Sequence, residues 1–147
     1  MTEDELAAWI PMTLAGYIEQ RVEAGEPREQ AEAQGTAQFA ELFPEGRPAE
    51  GQHAMSVVED GEVVGCLWMG RPLSGDQSTW YVFYVEVDPT RRGEGLGRRT
   101  MQAAEAWSRD HGGTRIALNV FGHNVVARSL YDSLGYGVVA TQMRKEL

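Results

Sequence analysis

Closely spaced glycines occupy the segment from residue 88 to residue 99 of this 147-residue chain. Gly93, Gly95 and Gly97 follow an apolar stretch typical of a buried strand and precede a stretch with helical spacing of apolar residues. Glycines at such a junction let the backbone approach a ligand, and the first N–H groups of the helix stay free to donate hydrogen bonds. Because the helix dipole is positive at that end, the segment predicts a site for a pyrophosphate group.

Arginines surround these glycines at positions 91, 92, 98 and 99, in a chain whose net charge is −9. Salt screens charges over about 8 Å at physiological ionic strength, so we expect this local cluster to set the potential at the turn. The alternative is a tight connection that binds no ligand. A P-loop is excluded because no Gly-Lys-Ser/Thr sequence ends the segment. A dinucleotide-binding fingerprint fits poorly, since Arg98 stands where its third glycine belongs.

A second candidate motif, a pair of polar residues, lies near the end of the chain. Asn124 and Tyr131 are seven residues apart, so a helix would place them on one face, with the small Ala127 between them. The stripe expected to face the core of the protein is formed by Val126, Leu130 and Leu134. The polar pair is therefore predicted to face a cleft. The alternative is that Asn124 only caps the helix and that Tyr131 is a packing residue.

Together these two segments resemble the motifs of the Gcn5-related N-acetyltransferases. That superfamily carries Arg/Gln-x-x-Gly-x-Gly/Ala after its fourth strand and Asn-x-x-Ala-x-x-Leu-Tyr-x-x-x-Gly-Phe/Tyr later in the chain. The corresponding residues here are Arg92-x-x-Gly95-x-Gly97 and Asn124-x-x-Ala127-x-x-Leu130-Tyr131-x-x-x-Gly135-Tyr136. Order, spacing and flanking elements agree, and the resemblance covers residues 53–147.

The resemblance implies an N-acetyltransferase that moves an acetyl group from acetyl-CoA to a primary amine by direct attack in a ternary complex, without a metal ion. The pantetheine arm would separate the strand at 80–87 from the strand at 115–120. The thioester carbonyl would meet the backbone N–H near Val87, and Tyr131 would protonate the departing thiolate. The residues implied to contact the coenzyme are Val87, Arg92, Gly93, Glu94, Gly95, Leu96, Gly97, Arg98, Asn124 and Ala127.

The sequence departs from the family at the position of the usual base. Some members carry Glu or His in the first half of the fourth strand, where this chain has Tyr81 and Phe83. Glu86 is the remaining acid in that strand, and we expect it to deprotonate the amine directly or through water. A structural ion pair is the alternative role for Glu86. Because the usual family base is missing, an alternative function stays open. The protein could be a CoA-binding regulatory or interaction module without turnover.

The elements that position these residues follow from periodicity. Predicted helices cover residues 6–22, 27–42, 95–111 and 124–134, and predicted strands cover residues 53–58, 63–69, 80–87, 115–120 and 136–141. Thr2 and Glu5 form a capping box for the first helix, and Asp60-Gly61 predicts a hairpin turn. The strand at 80–87 is apolar on both faces and should be central.

These elements predict a mixed α/β fold within one domain that covers residues 1–147. The resemblance implies a mostly antiparallel sheet flanked by helices. The usual first strand of the family would be missing or shortened, because the first helix begins almost at Met1.

Charge is distributed unevenly along the chain. Residues 1–62 hold 14 acidic and 3 basic side chains, whereas residues 63–147 hold 8 acidic and 10 basic side chains. This balance disfavours nucleic acid as a partner and favours a cationic or amine-bearing acceptor, although a solubilising acidic surface explains it equally well. Polyamines, aminoglycosides, amino acids, peptide N-termini and lysine side chains all fit as acceptors. We expect the first two helices and the loop at 71–78 to select among them.

Cysteine content and hydropathy predict a cytoplasmic protein. The single cysteine, Cys66, cannot form an internal disulfide and stands in an apolar run that suits a small core residue. No apolar run approaches the roughly 20 residues that span a bilayer, so no membrane partner is expected. The sequence is compatible with either a monomer or a homodimer.

Overall fold

The computed structural model describes residues 1–72, 75–143 and 145. The predicted loop at 71–78 therefore includes two residues, 73 and 74, that lie outside the described part of the chain. The helices are α1 (Glu3–Glu23), α2 (Arg28–Leu42), α3 (Leu96–Asp110) and α4 (Val125–Ser133), with short 3-10 turns at Pro44–Gly46 and Pro89–Arg91. The strands are β1 (Gln52–Glu59), β2 (Glu62–Gly70), β3 (Thr79–Val87) and β4 (Arg115–Leu118).

The four strands form one sheet in the order β1-β2-β3-β4. The pairs β1–β2 and β2–β3 are antiparallel, and β4 runs parallel to β3. In the described residues no strand precedes α1. These observations confirm the predicted mixed α/β fold class with its mostly antiparallel sheet flanked by helices. As predicted, β3 is an interior strand.

Helices cover both faces of the sheet. The face packed by α1 and α2, called the α1 face, carries Cys66 and Trp68 of β2, whereas the opposite α3 face carries Leu67 and Met69. This is the alternation expected of a strand buried on both sides. The buried cluster on the α1 face consists of Leu6, Trp9, Phe39, Leu42, Phe43, Ala54, Cys66 and Trp68. The cluster on the α3 face consists of Leu67, Met69, Trp80, Val82, Met101, Ala104 and Tyr131.

Local signals in the sequence fix the start of α1 and the first hairpin. The Thr2 hydroxyl accepts a hydrogen bond from the Glu5 N–H at 3.2 Å, and the Glu5 carboxylate accepts one from the Thr2 N–H at 2.6 Å, so the predicted capping box is confirmed. Asp60 and Gly61 have φ angles of 51° and 84°. Positive φ at both central residues is the geometry of a type I′ turn, which matches the twist of the two strands.

A bulge in β3 changes which side chains face each helix layer. Trp68 pairs with Tyr84, but the next residue of β2, Met69, pairs with Val82, so that Phe83 is the extra residue. A bulge of this kind places two successive side chains on one face of a sheet. Phe83 and Tyr84 accordingly both pack against the cluster on the α1 face.

The predicted last strand, at residues 136–141, is wrong. These residues form no helix or strand, and Val138 and Val139 are exposed. Glycine at positions 135 and 137 lowers the strand preference of the segment. The two valines that follow bury no face against the protein, so no packing compensates for the cost of ordering a strand.

Candidate active site

The edge of β3 next to β4 becomes unpaired before the strand ends. The parallel pairing between β3 and β4 runs from Thr79↔Arg115 to Val82↔Leu118 and continues no further. On the other edge, the Asp88 N–H donates to the Val64 carbonyl at 2.9 Å. Hydrogen-bonded pairs alternate in an antiparallel ladder, so the N–H groups two and four positions earlier also point toward β2. The N–H of Val87 therefore points to the open edge, where β4 has already ended.

The chain leaves this edge through the glycine segment. The Asp88 carboxylate accepts hydrogen bonds from the Thr90 hydroxyl at 2.7 Å and the Thr90 N–H at 2.8 Å, which together lower the pKa of Asp88. Gly93 and Gly95 have φ angles of 86° and 77°, in the left-handed region that favours glycine. These turns bring the chain directly to the start of α3.

The first turn of α3 presents free backbone donors. Gly95 is the N-cap residue and supplies no side chain to accept a hydrogen bond. The first intrahelical bond of the helix is made by the Arg99 N–H, which donates to the Gly95 carbonyl at 3.1 Å. The N–H groups of residues 95–98 consequently have no partner within the helix, which is the arrangement that suits an anion.

Two of the four arginines at this turn are neutralised by carboxylates. Arg91 contacts Glu94 at 2.9 Å and Glu59 at 3.2 Å, and Arg99 contacts Glu59 at 2.5 Å. The hydrogen bond from Arg91 lowers the pKa of Glu94. The potential expected from the arginine cluster is therefore reduced by these carboxylates, and the sequence does not reveal that the β1–β2 hairpin brings Glu59 to Arg91 and Arg99.

The other two arginines are in a different environment. Arg98 donates to the Ser133 hydroxyl at 2.7 Å, which ties the start of α3 to the end of α4. Arg92 is exposed and makes no hydrogen bond or ion pair with another described residue. Neither Arg92 nor Arg98 forms an ion pair with a described carboxylate, although the charge of Arg92 helps to lower the pKa of Asp88.

Gly97 is the point where the two sequence motifs meet. A Cβ atom built on Gly97 would lie 3.3 Å from the Leu130 Cδ2 atom and 4.0 Å from the Val87 Cγ2 atom. A larger side chain at this position would separate α3 from α4 and from the end of β3. The structure therefore brings the glycine segment, α4 and the open edge of β3 together.

The buried stripe of α4 differs from the predicted one. Val126, expected in the core, is 79% exposed, whereas Tyr131, expected to face a cleft, is only 9% exposed. The side chains of α4 that pack against the α3-face cluster are Ala127, Leu130, Tyr131 and Leu134. These positions follow the i, i+3, i+4, i+7 spacing of an amphipathic helix, so Leu130 and Leu134 of the predicted stripe are confirmed and Val126 is wrong.

Asn124 caps α4, which is one of the two roles considered for it from the sequence. Its side-chain oxygen accepts a hydrogen bond from the Ala127 N–H at 3.1 Å. The other side-chain group of Asn124, the amide NH₂, makes no hydrogen bond to a described residue. Capping and ligand contact are therefore compatible at this residue.

Tyr131 lies on the α3 face with its ring centroid 5.7 Å from that of Tyr136. Burial raises the pKa of Tyr131 above its ordinary value. Its hydroxyl forms no hydrogen bond with another described residue. The phenol is consequently protonated at neutral pH, and its O–H group can donate a hydrogen bond or a proton to a ligand.

Glu86 lies on the α1 face, opposite Cys66 in the β2–β3 register. The Tyr84 hydroxyl donates to its Oε2 atom at 2.9 Å. Burial and then this hydrogen bond raise the pKa of Tyr84, so the phenol remains a donor. Glu86 forms no ion pair within the described ranges, and its polar partner is Tyr84 instead. Sequence reasoning overlooked Tyr84, although a residue two positions before Glu86 in a strand shares its face.

A cavity of about 470 Å³ opens between α1 and the α1 face beside Glu86. Its lining residues are Met1, Glu5, Ala8, Trp9, Met12, Ser56, Val63, Gly65, Cys66, Glu86, Asp88 and Pro89. Cys66 forms part of its wall, where its sulfur accepts a hydrogen bond from the Trp9 Nε1 atom at 3.3 Å and where burial raises the pKa of the thiol. The volume falls in the range of small-molecule binding sites.

Across residues 1–72, 75–143 and 145, no group of three or more His, Cys, Asp or Glu side chains is arranged to hold a metal ion. Among the same residues, no helix combines the length and the apolar character needed to cross a membrane.

Comparison with known proteins identifies the family. The sequence model of the acetyltransferase (GNAT) family matches residues 14–136, and the chain belongs to this family. It is 29% identical over 149 residues to a Bacillus subtilis (strain 168) protein named uncharacterized N-acetyltransferase YdgE, and the match covers 100% of this chain and 95% of that protein. The resemblance drawn from the two motifs is thereby confirmed.

Solved structures show the same fold. The crystal structure of a Bacillus subtilis protein named uncharacterized N-acetyltransferase YycN superposes with a TM-score of 0.89 at 27% identity, covering 100% of this chain and 95% of that chain. The structure of AAC(6')-Iy in complex with a CoA-containing bisubstrate analogue superposes with a TM-score of 0.61 at 14% identity, covering 100% of this chain and 94% of that chain. The second similarity is a similarity of fold alone.

Proposed function

We propose that the protein, with residues 1–147 acting as one domain, transfers an acetyl group from acetyl-CoA to a primary amine by direct attack in a ternary complex. The observation that carries this proposal is the open edge of β3, where pairing with β4 stops at Val82↔Leu118. The Val87 N–H points to this edge, and the glycine segment with its free helix donors follows directly. A thioester at the edge and a pyrophosphate at the helix start would be held by one continuous stretch of chain.

The residues of the glycine segment fit the coenzyme, which supplies the activated acetyl group when bound. Backbone N–H groups of residues 93–98 would bind its pyrophosphate, since these groups have no partner within α3. Arg92 adds a positive charge that forms no ion pair with a described carboxylate. Asn124 and Ala127 would contact the coenzyme from the start of α4, and Glu94 contributes through its backbone because its carboxylate pairs with Arg91.

Three groups have distinct roles in the transfer. The Val87 N–H would donate to the carbonyl oxygen as negative charge develops there. Glu86 would take a proton from the amine on the α1 face, directly or through water. Tyr131 would give its phenolic proton to the departing sulfur from the α3 face, and its raised pKa keeps that proton in place until it is needed.

A coenzyme-binding module without turnover is the second candidate. It is favoured by Tyr81 and Phe83, which occupy the part of β3 where some family members carry a base. The rings of these residues lie 4.9 Å apart and the pKa of Tyr81 is raised by burial, so this part of the strand offers an apolar surface and no carboxylate.

Thiol release separates the two candidates. The full chain is mixed with acetyl-CoA and a panel of primary amines, free thiol is measured, and the acetylated amine is identified by mass spectrometry. Calorimetric titration with acetyl-CoA is run in parallel. Amine-dependent thiol release with an acetylated product supports the transferase. Binding of acetyl-CoA without turnover for any amine class would support the module, and absence of acetyl-CoA binding would exclude both.

A further inference from the structure

The cavity beside Glu86 is lined by acidic side chains. Among its described lining residues, Glu5, Glu86 and Asp88 are acidic, whereas the one basic group is the terminal ammonium of Met1, which donates to the Ala54 carbonyl at 3.1 Å, so the formal charge of the lining is negative. Carboxylates lining a concave site with apolar walls concentrate a negative potential there. A cationic ligand is therefore attracted, and an anionic one is repelled.

The rest of the lining is apolar. Trp9 and Met12 of α1 face Val63 and Pro89, while Ser56 supplies the lining's single hydroxyl group. Met12 is 60% exposed, which is unusual for a large apolar side chain. A ligand that carries many hydroxyl groups would lose its hydrogen bonds to water in this cavity and regain few. An apolar body would instead be transferred from water onto these walls.

The hydrogen bonds of the three carboxylates indicate where an amine would lie. The Asp88 Oδ1 atom already accepts from the Thr90 N–H and the Thr90 hydroxyl. The Glu86 Oε2 atom accepts from the Tyr84 hydroxyl, which leaves Oε1 available for a ligand. Glu5 is exposed and belongs to the capping box of α1, so it lies at the outer rim. Glu86 is half-buried and precedes Val87, whose N–H points to the open edge of β3. An amine on Glu86 would thus lie next to the proposed thioester position.

We propose that the acceptor is a primary amine attached to an uncharged apolar group, alkyl or aryl, whose body occupies this cavity. This inference rests on the acetyl transfer proposed above. The amine meets Glu86 at the inner end, and the apolar group packs along Trp9, Met12 and Val63. Hydroxyl-rich amino sugars and polyamines are disfavoured, because the walls offer them too few polar partners.

Matched acceptors test the chemistry of the site. Thiol release and mass spectrometry compare 2-phenylethylamine with glucosamine, which is rich in hydroxyl groups, and with spermidine, which is a polycation. We expect kcat/KM for 2-phenylethylamine to exceed the values for the other two by about tenfold or more, as an apolar contact of this size contributes. 2-Phenylethanol, which has the same body without the charge, should compete only weakly.

Two neighbouring alanines of α1 provide a matched pair of variants. Ala8 lines the cavity and Ala7 does not, although both are exposed. Ala8→Phe fills the cavity and should raise KM for 2-phenylethylamine by about tenfold, whereas Ala7→Phe should leave it unchanged. Acetyl-CoA affinity, measured by calorimetry, should be the same in both variants because the proposed pyrophosphate donors, residues 93–98, do not line this cavity.

The outcomes distinguish this inference from the proposed function. Preferred acetylation of glucosamine or spermidine, with no effect of Ala8→Phe, would overturn the inference and leave acetyl transfer intact. An equal effect of Ala7→Phe and Ala8→Phe would also overturn it, since the cavity would then not be the binding surface. Failure to bind acetyl-CoA at all would instead remove the proposed function on which the inference rests.

Discussion

Phe83 and Tyr84 are adjacent in β3, yet both side chains pack on the α1 face of the sheet. This bulge reverses the alternation of the strand, so Glu86 shares the α1 face with Tyr84 while Val85 packs on the α3 face. The proposed base and the acceptor cavity consequently lie on one side of the open edge of β3. Tyr131 lies on the other side. Such an arrangement lets the base and the acid act on opposite sides of one reacting centre.

Replacing Gly95 or Gly97 by valine should weaken acetyl-CoA binding by about tenfold or more. At Gly95 the φ angle of 77° disfavours a β-branched residue, and at Gly97 a side chain would press on Leu130 at 3.3 Å. Calorimetric titration measures the affinity. Gly137→Val is the control, because nothing lies within 4 Å of a Cβ atom built there. Unchanged affinity in both folded variants would contradict the proposed coenzyme site.

Tyr131→Phe should lower kcat by about 10²- to 10⁴-fold, the range typical of a lost general acid. Its thermal stability should change little, since the hydroxyl forms no hydrogen bond with a described residue. Tyr136→Phe is the matched control on the neighbouring ring, 5.7 Å away, and should keep a kcat close to that of the wild type. Full activity of Tyr131→Phe would remove Tyr131 from the mechanism.

Glu86→Gln should lower kcat and abolish the acidic limb of the pH–rate profile. An acceptor amine of lower pKa should restore part of the rate, because it arrives deprotonated. Tyr84→Phe removes the hydroxyl that donates to the carboxylate at 2.9 Å, so kcat should fall less than in Glu86→Gln, which removes the proposed base itself. Initial rates between pH 5.5 and about 9 test both variants, in the range where amines and carboxylates of active sites titrate. A wild-type profile in Glu86→Gln would leave solvent as the proton acceptor.

Sequence signals were sufficient where they are local. The capping box of α1, the Asp60-Gly61 turn and the motif residues around Gly95 each depend on neighbours within a few positions. The bulge at Phe83 could not be predicted, because β3 is apolar on both faces and its pattern does not reveal a reversal of alternation. The cavity could not be predicted either, since it depends on where α1 packs across the sheet.

Gly65→Ala should reduce the free energy of unfolding by about 1–3 kcal/mol, the cost of overpacking. A Cβ atom at Gly65 would clash with the carbonyl oxygen of Glu86, which would have to move. Urea denaturation measures the effect. In α1, Gly16→Ala is the control, where nothing lies within 4 Å of the added atom and alanine should stabilise the helix by about 0.5–1 kcal/mol. If Gly65→Ala were as stable as the wild type, β3 would be able to shift away from the added methyl group without a loss of free energy.

The free energy of unfolding should decrease as the pH is lowered, because His53 is partly buried among aromatic rings away from the proposed site. The His53 ring lies 4.8 Å from that of Trp107 and 5.6 Å from that of Trp80, and the His111 ring stacks on Trp107 at 3.8 Å. The Arg71 guanidinium lies over Trp80 at 3.8 Å. Burial, and then the charge of His111, lower the pKa of His53 in the folded protein.

His53 therefore binds a proton more readily in the unfolded chain than in the folded one. The stabilisation from the neutral ring is fully present above the unfolded pKa of about 6.5 and is lost as pH falls toward the lower folded pKa. His53→Phe keeps an aromatic ring beside Trp107 and removes the titration, so it should lose less stability than the wild type between pH 7 and pH 5. Urea denaturation at both pH values measures this difference. His123→Gln, at an exposed residue 3.7 Å from Glu23, is the control and should retain the wild-type dependence. An identical loss of stability in His53→Phe and in the wild type would assign the acid sensitivity to other groups.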